Sequence, residues 1–396
     1  MVSVARVAFL SVFLAVWGLL NWYVGLRGWQ ALSALMSLQS PVLYGAVLAF
    51  LALSYLLAFL VHGLLPAPVR SALTWVGAYW MGVLFYALLG LLAIDSARLA
   101  GRWLDLLPAR LAVGPALPGG ILVVALAGLM VYGTVNALHP VVARYDITIA
   151  KPGLRHRELR AVMVSDLHLG AIVTRRRLEQ LVEDINQRRP DLVLLAGDII
   201  DGHLGPFQEQ GMAAVLRRLQ PPLGTYAVLG NHEYVGGHVE EIIAALSEAG
   251  VTVLRDQAVL VDGSFWVVGR DFRGRAGFGR KRLPLSQVMA HVDTSLPVLM
   301  LDHMPVDLPE AQACGVDLQL SGHTHRGQLF PNHLVTGRVF AVDWGYLRMG
   351  ALQVLVSSGY GTWGPPLRVG NRPEVVEIRM RFAPAAAPGS GREAER

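Results

Sequence analysis

Leu192-Val193-Leu194-Leu195-Ala196-Gly197-Asp198-Ile199-Ile200-Asp201 is the stretch that decides how the chain is read. An apolar run ending on Gly-Asp describes a short strand buried on both faces, with carboxylates delivered just past its C-terminal end. The same arrangement recurs along the second half. Apolar runs at 161–164, 226–229, 298–301 and 318–320 lead into Asp166-Leu167-His168, Gly230-Asn231-His232-Glu233, His303-Met304-Pro305 and Gly322-His323-Thr324-His325. Further runs lie at 352–356 and 375–378. Helical stripes fall between the early runs: Leu178, Leu181, Val182 and Ile185, then Val239, Ile242, Ile243 and Leu246, all at three- and four-residue spacing. Strand–helix alternation of this kind predicts a layered α/β domain over 160–382. Ligand sites of open α/β sheets lie at the strands' C-terminal ends, where these polar residues fall.

Taken singly the residues say little, because a lone His is more often a surface or hydrogen-bonded core residue and Gly-Asp is often only a turn. Five such signals in one domain, each after an apolar run, gather imidazoles, carboxylates and an amide, the ligand types that hold a pair of divalent cations. Paired metals generate a nucleophile at neutral pH and clamp a phosphoryl group for in-line attack. Cys314 is the only cysteine, so no internal disulfide can form. It is expected as a small buried hydrophobe after a short helix at 308–313.

The ordered motif set resembles the calcineurin-like metallophosphoesterase superfamily over about 160–380. Within it, the chain is most similar to the bacterial membrane-associated phosphodiesterase branch. Ser357-Ser358-Gly359-Tyr360-Gly361, then Gly364-Pro365 through Arg368, Asn371 and Pro373-Glu374, is similar to that branch as well. The resemblance implies a four-layer α/β/β/α sandwich. It implies one metal on Asp166, His168 and His325, a second on Asn231, His303 and His323, and Asp198 bridging both. It makes His232 the group that protonates or hydrogen-bonds the leaving oxygen, with Asp201 orienting its ring, while attack comes from a metal-bound hydroxide.

The chemistry of the residues agrees with that assignment. Imidazole, carboxylate and amide oxygen suit Mn, with Fe or Zn as alternatives, and the lack of thiolate argues against a structural zinc site. In Gly322-His323-Thr324-His325, an extended backbone would send both imidazoles to one side. Arg326 and Arg368 are candidate substrate contacts, since a guanidinium fork matches phosphate oxygens. Arg175, Arg176 and Arg177 begin a helix, and their ordinary reading is a solvated face.

The first 143 residues are different in kind. Residues 7–26, 28–69, 71–94 and 111–138 contain no Asp, Glu, Lys or Arg. Stretches of about 20 apolar residues are long enough to cross a bilayer as helices. Four spans are expected, at about 7–26, 42–63, 72–94 and 118–138, with Trp22, Tyr23, Trp29 and Tyr44 near their ends as interface residues. Residues 95–114 mix Arg with Leu and Trp and could lie as an amphipathic helix in the headgroup layer. A link is expected over 144–159, and the Ala/Pro/Gly-rich tail 383–396 has too little apolar content to fold.

These features place an integral membrane protein, expected in a bacterial inner membrane. An even number of spans puts both ends on one side, and Arg6, Arg70, Arg144, Lys151, Arg155 and Arg157 there, against Arg27, Arg98, Arg102 and Arg110, lean that side cytoplasmic. The formal charge of +5 comes without a nucleic-acid-binding motif, and anionic lipid headgroups are the simpler partner. No protein partner is indicated. The expected substrate is a phosphodiester or diphosphate, and membrane anchoring points to a lipid-linked one such as UDP-diacylglucosamine, which relatives cleave. Two other classes compete with this reading. A non-catalytic, metal-stabilised binding module is disfavoured because every motif position is filled. A transporter is disfavoured because the spans hold no charge.

Overall fold

The computed structural model describes residues 4–36, 40–61, 63–104, 114–273 and 281–383. Residues 95–103 of the expected 95–114 connection are the last turns of a long helix, while 105–113 and nearly all of the 383–396 tail lie outside the described residues. The chain divides into two compact units, Met1–Val135 with Gly364–Leu367, and Asn136–Trp363 with Arg368–Arg396.

The first unit is built from α1 (Val4–Met36), α2 (Pro41–Leu60), α3 (Ala67–Trp103) and α4 (Ala116–Leu138). All four are long and apolar enough to cross a membrane. They match the four expected spans, but α1 and α3 are longer, at 33 and 37 residues. The extra turns carry the charges the apolar windows lack. Arg27 of α1 pairs with Asp95 of α3, and Tyr23 donates to Asp95 at 2.8 Å. Asn21 accepts from Trp80 Nε1 at 2.8 Å, so the polar group inside α1 is satisfied by a neighbouring helix.

The second unit holds two six-stranded sheets. In chain order its strands are β1 (Val141–Ile149), β2 (Glu158–Val164), β3 (Leu192–Ala196), β4 (Thr225–Val228), β5 (Val251–Val253), β6 (Gln257–Val261) and β7 (Phe265–Gly269), followed by β8 (Val298–Leu301), β9 (Leu318–Ser321), β10 (Gly345–Met349), β11 (Leu352–Val356) and β12 (Glu374–Phe382). One sheet runs β1-β12-β2-β3-β4-β5 and the other β10-β11-β9-β8-β7-β6. Strands β2 to β5 are mutually parallel, as are β7, β8, β9 and β11.

Period-two alternation sorts each strand between two cores. In β3, Leu192, Leu194 and Ala196 face the other sheet, while Val193 and Leu195 face helices. In β8, Leu299 and Leu301 face the first sheet, and Val298 and Met300 face outward. The helices on the outer face of the first sheet include α5 (Arg175–Gln187), α6 (Leu204–Glu209), α7 (Met212–Leu216), α8 (Asn231–Val235) and α9 (Val239–Glu248). The expected stripe of α5, Leu178, Leu181, Val182 and Ile185, is fully buried. The outer face of the second sheet is covered by α10 (Leu285–Val288) and α11 (Leu308–Ala313), while α12 (His333–Val339) buries no residue. The result is the expected α/β/β/α sandwich.

One expected boundary fails. Residues 144–159 are not a link: most of β1 lies there, paired in parallel with β12 over its whole length. Arg144, Asp146 and Thr148 point outward and alternate with Tyr145, Ile147 and Ile149. An edge strand with charges on one face does not read as an apolar run. Cys314 is the C-cap of α11 and is half-buried rather than buried.

Candidate metal centre

Five parallel strands, three from one sheet and two from the other, deliver the predicted ligands. Asp166 and His168 follow β2, Asp198 follows β3, Asn231 follows β4, His303 follows β8, and His323 and His325 follow β9. All seven come together. Asp166, His168 and His325 offer ligand atoms within 4.8 Å of one another, and so do Asp198, His303 and His323. Asn231 Oδ1 joins the second group, 2.9 Å from His323 Nδ1 and 3.3 Å from His303 Nε2. Asp198 stands between the groups, with Oδ2 at 3.2 Å from His303 Nε2 and 3.8 Å from His168 Nε2.

The donor set fits a cation pair. His168 and His325 bring their Nε2 atoms within 3.1 Å of each other, and His303 Nε2 lies 3.2 Å from His323 Nδ1. Nitrogen atoms converging in this way suit ligands that share a cation. His303 Nδ1 donates to the Ala196 carbonyl at 2.8 Å, which leaves Nε2 free to ligate, the usual support of a metal-bound imidazole. Glycine makes the approach possible. A Cβ on Gly230 would sit 2.2 Å from Asp198 Oδ1, and one on Gly322 would sit 2.2 Å from Asp166 Oδ2.

Burial would raise the Asp198 carboxyl, but His303, His232 and His168 hold it well below the usual carboxylate range. Asp166 is likewise lowered against its burial, chiefly by His325. Burial would lower His303, yet Asp198 and Asp166 push it up to about 10. Burial drops His323 to about 4 and His325 to about 3. The two carboxylates and the His323 and His325 rings are in the charge state that divalent metals require, whereas a cation bound at His303 would displace the proton that Asp198 and Asp166 hold there.

The backbone corrects one expectation. The Gly322–His325 segment is not extended: His323 and His325 take φ of 72° and 48°, and a 3₁₀ turn begins at His325. The two rings reach different metal groups by left-handed backbone rather than by pleat. Asp166, His168 and Asp198 are also left-handed, with φ of 53°, 48° and 50°. Strained backbone concentrated on ligands is characteristic of functional sites.

His232 and Asp201 are placed as expected. His232 Nδ1 lies 2.8 Å from Asp201 Oδ1, and the His232 backbone N–H donates to Asp198 Oδ1 at 2.9 Å. Burial would lower His232, but Asp198 and Asp201 raise it to about 9. Both arginine candidates lie elsewhere. Arg326 stacks over the Trp344 ring, 3.9 Å from its centroid. Arg368 is fully buried behind His325, where no substrate can touch it. Neither lines the cavity at the site.

That cavity measures about 380 Å³. Asp198, Asn231, His232, His323 and His325 form its polar floor, and Val335, Phe340 and Trp363 line it with apolar surface. This wall was missed because its residues come from separate places, Val335 on the short α12, Phe340 at its C-cap and Trp363 in a distant loop, and share no periodic signal. Glu233 was also missed, although it lies in a quoted motif. It is fully buried and accepts from the N–H groups of Ile200 at 2.9 Å and Gly230 at 2.7 Å, tying the Asp198 loop to the Asn231 loop. Its place at the third position of a helix opening was the available signal. Arg177 is half-buried rather than solvated, donating from Nη2 to the carbonyls of Ala137 at 2.6 Å and Tyr360 at 2.8 Å.

A family model described as calcineurin-like phosphoesterase matches residues 159–327. An uncharacterized metallophosphoesterase of Aquifex aeolicus is 35% identical over 227 residues, covering 57% of this chain and 85% of that protein. The chain belongs to the calcineurin-like phosphoesterases. Within the family, a transmembrane protein with metallophosphoesterase domain from Danio rerio is 31% identical over 272 residues, 65% of this chain and 61% of that one. Its Bos taurus counterpart is 28% identical over 338 residues, 79% and 74% respectively. With the four apolar helices, these relatives make the chain a membrane-associated member of the family. A solved dimetal phosphatase from Danio rerio covers 51% of this chain and 88% of its own at 15% identity, with a TM-score of 0.32, a likeness too slight to bear on function.

Proposed function

We propose that this calcineurin-like phosphoesterase hydrolyses a phosphodiester or diphosphate bond in a lipid-linked substrate, using two divalent cations, Mn²⁺ first among them. The observation that carries the reading is the assembled cage: seven ligands with Asp198 between two groups, and His232 beside it. Asp166, His168 and His325 would hold one cation, Asn231, His303 and His323 the other. Bound there, the pair would supply the Lewis acidity that activates water and offsets phosphoryl charge.

The chain's own groups supply the rest. Asp201 holds the His232 ring at Nδ1, which leaves Nε2 to hand a proton to the departing oxygen. Glu233 keeps the Asp198 and Asn231 loops in register. Val335, Phe340 and Trp363 give the cavity a surface suited to an apolar group next to the phosphate, which supports an amphiphilic substrate. The Arg and Lys distribution around the spans supports a cytoplasmic site at a bacterial inner membrane.

The test is metal-stripped protein given Mn²⁺ and a chromogenic phosphodiester. Turnover that requires Mn²⁺ and is abolished in Asp198→Asn is expected. No Mn-dependent turnover, or full turnover in the variant, rejects the reading. Lipid extracts incubated with active protein and with His232→Ala then identify the substrate, as the species consumed only by the former.

A further inference from the structure

Arg368 is a fully buried cation among whose described neighbours no carboxylate forms an ion pair with it. Its charge is instead met by carbonyls. Nη1 donates to the oxygens of Ser358 at 2.7 Å and His325 at 3.1 Å, and to Asn371 Oδ1 at 3.2 Å. Nη2 donates to the oxygens of Gly361 at 2.7 Å and Gly359 at 3.1 Å, and lies 3.1 Å from His325 Nδ1. Removing a guanidinium from water costs several kcal/mol, and an apolar side chain of similar volume would fill a purely structural position at less cost.

What the fork gains is control of His325. It grips that residue at its carbonyl and packs Nη2 against the ring edge opposite the Nε2 that faces Asp166 Oδ1 at 3.3 Å. The Nη2 hydrogens go to Gly361 and Gly359, so the ring contact is close packing and Nδ1 keeps the proton of a ring that ligates through Nε2. His325 and Arg326 are consecutive left-handed residues, with φ of 48° and 47°. Such backbone persists only when its surroundings over-determine it. The carbonyl of the first is held by Arg368, and that of the second by Asn371 Nδ2 at 3.0 Å. Asn371 in turn is oriented by Arg368 Nη1. On the other side of the cage, His303 is fixed by a single carbonyl, that of Ala196, and Arg368 has no contact with it.

We infer that Arg368 is a positioning residue for one metal only, the one assigned to Asp166, His168 and His325, and that it acts by fixing the carbonyls of the strained turn that begins at His325. Loss of a group supporting a metal ligand typically weakens metal binding about 10- to 100-fold. The inference rests on the dimetal reading and is narrower than it.

Arg368→Lys keeps the charge and loses the fork. Full-length protein in detergent is titrated with Mn²⁺, with metal content read by elemental analysis and the Mn pair by its exchange-coupled electron paramagnetic resonance signal. In the wild type two Mn²⁺ and a coupled signal are expected. In the variant one Mn²⁺ is retained with unchanged affinity, the other weakens about 10- to 100-fold, and the signal becomes that of isolated Mn²⁺. Melting of the metal-free proteins reports folding separately. If Arg368→Lys does not fold, Asn371→Ala, which frees the Arg326 carbonyl but leaves the guanidinium, is measured instead and must show the same one-sided loss. Unchanged binding of both metals, or equal weakening of both in the folded variant, overturns the inference. A wild type that binds no metal overturns the dimetal reading itself.

Discussion

Asp201→Asn separates the work of His232 from that of the metals. The carboxylate lies 2.8 Å from His232 Nδ1, a geometry in which a hydrogen bond to a charged group contributes about 1.5–3 kcal/mol. At about 1.36 kcal/mol per pKa unit, that interaction holds the imidazole about one to two units above where it would otherwise sit. Burial works against it, and Asp198 and Asp201 together bring His232 to about 9. Once Asp198 is committed to two cations, its charge no longer supports the ring, and Asp201 is the principal support left. His232 must be protonated to serve the leaving oxygen, so activity falls as pH rises through its pKa. Removing the Asp201 charge lowers that pKa, and the alkaline limb of kcat should move to lower pH by about one to two units. The assay is kcat against pH for Mn-loaded protein and two phosphodiesters, one with an acidic phenol and one with an alkanol as leaving group. The alkanol substrate should lose about 10- to 100-fold at alkaline pH and the phenol substrate much less, because only the former needs the proton. Asp201 also lies 3.4 Å from His168 Nδ1, so metal content must be shown equal in both proteins. With equal metal, a limb that stays in place or moves to higher pH refutes the reasoning, as does equal loss on both substrates.

Four further outcomes are expected. Chelation of the metals should lower the melting temperature by about 10 °C, since five ligands hold left-handed backbone that costs about 1 kcal/mol or more each, and each kcal/mol is worth about 2–4 °C in a domain of this size; differential scanning fluorimetry reads this directly. Glu233→Gln replaces a carboxylate that accepts two backbone N–H groups with an amide that can accept only one of them, and should destabilise the unit by about 1–3 kcal/mol in denaturant titration. Arg177→Ala strips the one Nη2 donor shared by the buried carbonyls of Ala137 and Tyr360 and should cost about 1–3 kcal/mol in denaturant titration. Val335→Ser and Trp363→Ala should each lower kcat/KM about tenfold for an amphiphilic phosphodiester, in line with about 1.5 kcal/mol of lost apolar contact, and change a small polar substrate far less.

The layered α/β domain and the gathering of polar residues at its strand ends were legible in the sequence for one physical reason, while the four-layer arrangement and the division of ligands between two metals came from the family resemblance. Strands buried on both faces, such as β3 and β8, read as unbroken apolar runs, and their ends fix where ligands such as Asp198 and His303 must fall. Edge strands gave no such signal. Strand β1 exposes Arg144 and Asp146, β5 has three residues, and β10 alternates half-buried with exposed positions. The β6–β7 hairpin had a usable mark in Asp262-Gly263, a turn pair with both residues at positive φ. The long-range part of the site was harder. That Arg368 would turn away from substrate depends on which carbonyls of Ser358, Gly359 and Gly361 surround it, and sequence spacing does not report that. Nor could spacing foretell that His323 and His325 reach their separate metal groups through left-handed backbone instead of from one side of a pleat.

The central claim, that one carboxylate serves two cations, is tested most directly by counting metals in freshly purified wild-type and Asp198→Asn protein. Two ions per chain in the former, and fewer than one together with lost turnover in the latter, is the predicted result. A wild type with only traces of metal, or an Asp198→Asn variant that keeps both ions and its activity, would contradict it.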